Sequence, residues 1–363
     1  MIPYENLKRL NKSFEDKFRE KFETVINNGS YILGPELEAF EKEYATWQNT
    51  NYCVGISNGL DALILGLKAF DLPEGSEVIV PSNTYIASIL AILACQLIPV
   101  LVEPDIATYN IDPDKIEAAI TPKTSAIMAV HLYGKCCRMD KIMAIKEKHN
   151  LFLIEDCAQA HGATFKGQLS GTFGEIGAFS FYPTKNLGAL GDAGAVISND
   201  EGYAKKIAQL RNYGSERKYY NDVIGYNNRL DDMQAAFLSV KLKHLKEMNA
   251  QRNKYAQLYF DNLDKQFVLP VQDADYYDVY HIFNIRHPRR DELQAYLTNK
   301  GIGTVIHYPV PPHHQKAMNG IPGIKSSYPI AEEIHSTTLS IPCSFSHTED
   351  EIWQVITALN SFK

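Results

Sequence analysis

Asp156 and Lys185 stand 29 positions apart, each in a setting that ordinary core packing does not explain. Leu151-Phe152-Leu153-Ile154 is a short apolar run suited to a buried strand. Glu155-Asp156 stands at its carboxyl end, where open α/β sheets bind ligands. A carboxylate there faces a site or is buried with a partner, because an unpaired buried charge is too costly. Lys185 follows a second strand-like run, Phe179-Ser180-Phe181-Tyr182-Pro183-Thr184, and precedes the glycine-rich turn Asn186-Leu187-Gly188-Ala189-Leu190-Gly191. A lysine among aromatics, a hydroxyl and glycines is a candidate covalent amine. Together the two residue types suit pyridoxal phosphate chemistry. The amine condenses with the cofactor aldehyde as a Schiff base, and the carboxylate keeps the pyridine nitrogen protonated so that the ring accepts carbanion electrons. Lys185 is then the anchor and, once displaced by a substrate amine, the general acid and base; Asp156 is the electron-sink partner. Taken singly, a turn-capping Asp and a surface Lys would explain them as well.

The neighbouring motifs carry a resemblance. Glu155-Asp156-Cys157-Ala158-Gln159-Ala160-His161-Gly162, the run through Lys185-Asn186-Leu187-Gly188, and Gly191-Asp192-Ala193-Gly194 resemble the nucleotide-sugar aminotransferases (DegT-type). These are a branch of the fold-type I, aspartate aminotransferase-like enzymes. The likeness recurs at Ser57-Asn58-Gly59, at Pro81-Ser82-Asn83-Thr84-Tyr85, at Gly225-Tyr226-Asn227-Asn228-Arg229 and at His307-Tyr308-Pro309, so it covers nearly the whole chain.

Ser57-Asn58-Gly59 also reads from its own residues. A small-residue turn opening a helix leaves backbone N–H groups and the positive end of the helix dipole free for a phosphate, although Asn58 alone reads equally as an N-cap. The resemblance implies that this turn holds the cofactor phosphate; Leu60 stands where relatives carry a hydroxyl, so only backbone contacts carry over there. Ser180, five residues before Lys185, is suited to the same phosphate. Tyr85 matches an aromatic that stacks on the pyridine ring, against core packing as the plainer reading. Gln159 matches a glutamine whose amide approaches the phenolic oxygen, while His161 reads as a structural hydrogen-bonder. Asn227 matches an asparagine donated across a subunit boundary to the partner's phosphate, which implies a homodimer with shared active sites.

The loop His307-Tyr308-Pro309-Val310-Pro311-Pro312-His313-His314-Gln315 places three histidines within eight residues. Its prolines hold it extended and no adjacent carboxylate or cysteine completes a metal set, so no metal is expected. By resemblance the loop lines the substrate pocket, with His307 and Tyr308 against substrate. Its H-Y-P-x-P-x-H-x-Q form is similar to members that aminate C3 of a dTDP-linked 3-keto-6-deoxyhexose, with L-glutamate as amino donor. Amination at C4 of a dTDP- or UDP-linked 4-keto sugar is the nearest alternative. A sugar dehydratase is a weaker one, since such members carry histidine in place of Lys185; a non-catalytic regulator leaves Asp156, Gln159, Ser180 and Lys185 without a use. The segment 211–220 offers Arg211, Arg217, Lys218 and three tyrosines to anionic oxygens and hydroxyls. Tyr182 and Tyr219 are candidate substrate contacts, and Arg229 a candidate for the glutamate carboxylate.

The elements that must position these groups follow from periodicity. Apolar runs at 52–56, 78–80, 99–102, 126–131, 151–154, 176–181 and 195–198 read as strands, with helices near 60–69, 84–95, 113–120 and 138–149 between the earlier ones. That alternation implies an α/β fold, a mostly parallel seven-stranded sheet between helices. Ahead of it, Phe14, Phe18, Phe22, Val25 and Ile26 share one helical face ending at Asn28-Gly29, a packing arm. A long helix over about 231–261 bridges to a smaller C-terminal α+β domain with a strand at 281–286 and helices near 291–300 and 349–361. The expected division is a large cofactor-binding domain over 1–245 and a small one over 246–363.

Composition excludes several classes. The 363 residues carry 36 Lys plus Arg against 43 Asp plus Glu, a net charge of −7, with no long basic run, which argues against nucleic acid. Six cysteines show no C-x-x-C pair and read as reduced thiols of a cytoplasmic protein, and the charged N-terminus lacks a signal-peptide core. Residues 86–102 are nearly apolar enough to span a membrane, but Gln96 and Pro99 divide them into a buried helix and strand, so no membrane association is expected.

Overall fold

The computed structural model describes residues 1–363. Twelve strands run in chain order: β1 Tyr52–Ile56, β2 Glu77–Pro81, β3 Ile98–Val102, β4 Thr124–Val130, β5 Phe152–Asp156, β6 Thr164–Phe165, β7 Gln168–Leu169, β8 Ile176–Ser180, β9 Gly194–Ser198, β10 Tyr276–Tyr277, β11 Phe283–Arg286 and β12 Thr338–Ile341. Seven form one sheet in the order β1-β9-β8-β5-β4-β2-β3, and within it only β9 runs antiparallel to its neighbours. All seven expected strands are present.

Both faces of this sheet are buried, and side-chain parity divides the core between them. Val78, Val80, Ile154 and Val196 pack with Leu63, Leu67 and Ile89 of the helices Gly59–Ala69 and Ile86–Ala94. The alternate residues Ala195 and Ile197 face Phe40, Tyr44 and Leu238 on the other side, as Ile79 and Leu153 face Ile142 of the helix Met139–His149. The apolar stretch 86–102 is cut as expected, the chain reversing at Gln96 (φ 59°) between helix and β3. No helix is long and apolar enough to cross a membrane.

A further core joins Tyr255, Tyr259, Phe283, Leu293, Ile341, Ile352 and Leu359 to Ile2 at the other end of the chain. It is built on the β11–β12 ladder and the helices Leu245–Asn262, Arg290–Asn299 and Glu349–Asn360, so the C-terminal α+β elements are found where periodicity put them.

Three elements differ from expectation. The long helix is two, Asp232–Leu242 and Leu245–Asn262, broken at Lys243-His244 without proline or glycine. There the His244 ring packs 5.4 Å from Phe14, a long-range contact that local propensity does not register. The segment 113–120 is α-helical only over Pro113–Ile116 before tightening to a 3₁₀ turn. The arm helix Glu15–Asn28 ends at Gly29 (φ 65°), whose N–H caps Val25, yet it buries only part of its apolar face: Phe14, Phe18 and Val25 are covered, whereas Phe22 and Ile26 stay 50% and 47% exposed.

Candidate active site

One cavity of about 620 Å³ lies at the carboxyl edge of the sheet. Asp156 reaches it from the last position of β5, Ser180 from the end of β8, Asn58 and Gly59 from the turn after β1, and Tyr85 from the turn after β2. Lys185, Tyr182 and Gln159 line it from the loops after β8 and β5, and His281, His307 and Tyr308 close it from the C-terminal part.

Each member is held by identifiable contacts. Asp156 is buried and accepts hydrogen bonds from Ser88 Oγ at 2.8 Å and from its own loop at Ala158 N at 3.1 Å. Ser88 is the sole hydroxyl of the helix Ile86–Ala94, and Thr84 lies 2.8 Å from it in turn. Neighbouring Glu155 points to the other face, where it accepts from the N–H groups of Gly171, Phe173 and Gly174 and from His131 Nε2. Burial lowers the Lys185 amine to about 8, and the Asp156 carboxylate opposes that fall. At that value about a fifth of the amine is neutral near physiological pH, against about a thousandth for an exposed lysine, which makes it available as a nucleophile and proton carrier.

The turn after β1 combines a cap with an anion cradle. Asn58 Oδ1 accepts from Asp61 N at 2.9 Å, and its Nδ2 donates to Asp61 Oδ2, so its side chain is spent on capping the helix Gly59–Ala69. A Cβ on Gly59 would lie 2.5 Å from Ser180 Cβ; only glycine lets the helix start approach the Ser180 hydroxyl so closely. Tyr85 is 53% exposed, which rules out core packing, and its ring centroid is 5.0 Å from that of Tyr308. An acid and an amine in one cavity, an anion cradle at a helix start and an open aromatic face fit pyridoxal phosphate.

Residues 12–360 match the DegT/DnrJ/EryC1/StrS aminotransferase family. The chain belongs to that family. It is similar to the dTDP-3-amino-3,6-dideoxy-alpha-D-galactopyranose transaminase of Aneurinibacillus thermoaerophilus, 48% identical over 100% of this chain and 99% of the relative. The dTDP-3-amino-3,4,6-trideoxy-alpha-D-glucose transaminase of Streptomyces venezuelae is 42% identical over 99% and 96%. A crystal structure of S. venezuelae DesV in complex with a ketimine intermediate superposes with a TM-score of 0.97, at 42% identity, over 99% of this chain and 97% of that one. As a member of the DegT/DnrJ/EryC1/StrS family the chain is an aminotransferase of the aspartate aminotransferase-like fold, and its cofactor is pyridoxal 5'-phosphate.

Not every residue singled out in this aminotransferase reaches the cavity. Leu60, Tyr182, His307 and Tyr308 do. Asn227 is exposed and backbone-bridged to Asn212, Tyr219 is 85% exposed, and Arg229 donates to Asn212 Oδ1 at 2.9 Å beside the Tyr213 ring; none lines the chain's own cavity. Arg211 is not free for anionic oxygens, because it is buried against Glu41 and the Gly55 carbonyl. Gln159 Nε2 donates to Tyr308 Oη at 2.9 Å while its Oε1 accepts from Tyr133 N, so the amide ties two loops together across the cavity wall. His161 is structural as expected: Nε2 donates to Ser180 O, Nδ1 accepts from Tyr44 Oη, and burial drops its pKa to about 3.

A carboxylate absent from the His307 loop itself arrives from the helix Pro329–Thr337. Glu332 Oε1 lies 3.0 Å from His313 Nε2 and 3.7 Å from His314 Nε2, correcting the expectation that the histidines lack an acidic neighbour. That oxygen also accepts from Tyr328 N and Ser327 Oγ, and the buried His313 Nδ1 has no acceptor to steady a ligating ring. The trio reads as an anchor for the loop. Ser88, Tyr133 and His281 escaped the sequence reading; only Ser88, a lone hydroxyl in an apolar helix, gave a signal.

Proposed function

We propose that this chain moves an amino group from L-glutamate to C3 of a dTDP-linked 3-keto-6-deoxyhexose, acting in the cytoplasm as a homodimer. The observation that carries this reading is the single cavity holding Lys185, Asp156, Ser180, Tyr85 and the His307-Tyr308 loop. The full-length likeness to two transaminases named for dTDP-3-amino sugars supports the substrate class and the C3 position. The division into a cofactor-holding part over 1–245 and a smaller part over 246–363 belongs to the same reading.

When bound, pyridoxal phosphate supplies an aldehyde for amine exchange and a ring that accepts carbanion electrons. Asp156, fixed by Ser88 and Ala158, holds the pyridine nitrogen protonated. Ser180 Oγ and the N–H groups opening the helix at Gly59 hold the phosphate, Tyr85 covers the ring face, and the second N–H of Gln159 Nε2 is free for the phenolic oxygen. Lys185 Nζ would take the proton from the glutamate α-carbon and deliver it to the cofactor carbon that keeps the nitrogen, water supplying the carbonyl oxygen as 2-oxoglutarate leaves. In the second half-reaction it would carry a proton to the sugar carbon that gains the amine, the keto oxygen departing as water. Tyr182, His307 and Tyr308 form the sugar-facing wall. Asn227, Arg229 and Tyr219, which do not line their own cavity, serve that of a second copy: Asn227 its phosphate, Arg229 the glutamate carboxylate and Tyr219 the substrate.

The test is spectroscopic and chemical. Purified protein shows the visible absorbance of cofactor bound to Lys185, Lys185→Ala abolishes it, and glutamate with the keto sugar releases 2-oxoglutarate. An unaltered spectrum in that variant rules out the assigned lysine.

A further inference from the structure

Beside Lys185 a chain of amides fixes the state of a histidine that the reaction scheme above leaves unused. Asn249 Nδ2 donates to the carbonyl of His161 at 2.8 Å. A carbonyl only accepts, so the amide is oriented with Oδ1 outward, and that oxygen accepts from Asn186 Nδ2 at 2.8 Å. Asn186 Nδ2 gives its other hydrogen to the Val279 carbonyl at 3.0 Å, which orients this second amide in the same way. Asn186 Oδ1 therefore faces His281 Nδ1 at 3.2 Å as an acceptor, and Nδ1 must carry the hydrogen. His281 lines the cavity that holds Lys185, and its Nε2 has no partner in the protein.

We infer that His281 is held as the Nδ1–H tautomer and presents the Nε2 lone pair to the cavity as a fixed hydrogen-bond acceptor for a hydroxyl of the sugar substrate. Burial, and after it the positive charges of Lys185 and Arg252, keep the ring neutral, so the lone pair persists at physiological pH. The Asn249-Asn186-His281 relay passes through the residue next to Lys185, so tautomer and lysine are registered on one frame. An acceptor of fixed position discriminates among sugars by where a hydroxyl stands, and a ring already locked loses little freedom on binding. The sugar assignment rests on the proposed function; the tautomer does not.

Two measurements on the holoenzyme decide it. Nitrogen-15 NMR of histidine-labelled protein at neutral pH, with His281 identified by its absence in His281→Gln, gives a protonated Nδ1 and a bare Nε2. An Nε2–H tautomer or an imidazolium overturns the inference whatever the substrate is. The half-reactions are then followed separately by cofactor absorbance, one with L-glutamate and one in reverse with a dTDP-3-amino-3,6-dideoxyhexose. His281→Leu raises KM for the amino sugar roughly fivefold to tenfold, the loss of one neutral hydrogen bond. His281→Gln, which restores an acceptor oxygen, recovers most of it, and the glutamate half-reaction stays within about twofold in both. An equal loss with glutamate, or an unchanged amino-sugar KM in folded His281→Leu, contradicts the assigned role. Wild-type protein inert to the amino sugar instead refutes the proposed substrate, with the NMR result still deciding the tautomer.

Discussion

Lys185 and Asp156 owe their chemistry to what surrounds them. An exposed lysine holds its proton to about 10.5, whereas burial brings this one to about 8. The rate at which cofactor-free protein takes up pyridoxal phosphate covalently should therefore rise with pH through a midpoint near 8; a midpoint above 10 contradicts the burial argument. Ser88 supplies the only side-chain hydrogen bond to Asp156. Losing a donor to a carboxylate costs about 1.5–3 kcal/mol, so Ser88→Ala should slow the glutamate half-reaction by roughly tenfold or more in stopped-flow absorbance while the fold survives. The principal pair was legible in the sequence because each member sits in a dense local motif. Ser88 and His281 were not, since their partners Asp156 and Asn186 stand 68 and 95 positions away. Asn227 and Arg229 were singled out by motif and Tyr219 by the cations and tyrosines of segment 211–220, and none of the three lines the cavity of its own chain.

The elements act by bringing strand ends to one edge. Alternating runs revealed all seven strands, because burial on both faces makes parallel strands apolar throughout. Periodicity could not report the break at Lys243-His244 or the exposure of Phe22 and Ile26, which depend on what packs against those positions. At the start of the helix Gly59–Ala69 the close approach to Ser180 is testable. Gly59→Ala forces a methyl to 2.5 Å from Ser180 Cβ, and the helix start or the strand end must shift. Cofactor affinity, titrated by fluorescence quenching, should fall about tenfold or more, the scale of losing one charge-assisted contact to the phosphate. Unchanged affinity would remove that cradle from the account.

The whole molecule sets pH tolerance and, on the proposed reading, subunit sharing. Burial is the leading cause that lowers His161 to about 3 and His307 and His335 to about 4. In the unfolded chain these rings protonate near 6.5, so between roughly pH 4 and 6.5 the unfolded state binds more protons than the folded one. Their contribution to stability is complete above about 6.5 and is lost as pH falls. Melting temperature should hold between pH 7 and 8 and drop below 6.5, less steeply in His161→Gln; a flat profile would show the rings are not held neutral. Subunit sharing calls for complementation. Mixing Lys185→Ala with Asn227→Ala should restore activity, since one site of each hybrid dimer regains both residues, and no recovery would mean that Asn227 serves no partner. The measurement closest to the central claim follows the nitrogen itself. Given ¹⁵N-labelled L-glutamate and a dTDP-linked 3-keto-6-deoxyhexose, the protein should release 2-oxoglutarate and yield a sugar whose NMR spectrum carries ¹⁵N at C3. Label at C4, or glutamate left unconsumed beside an intact keto sugar, would contradict the account.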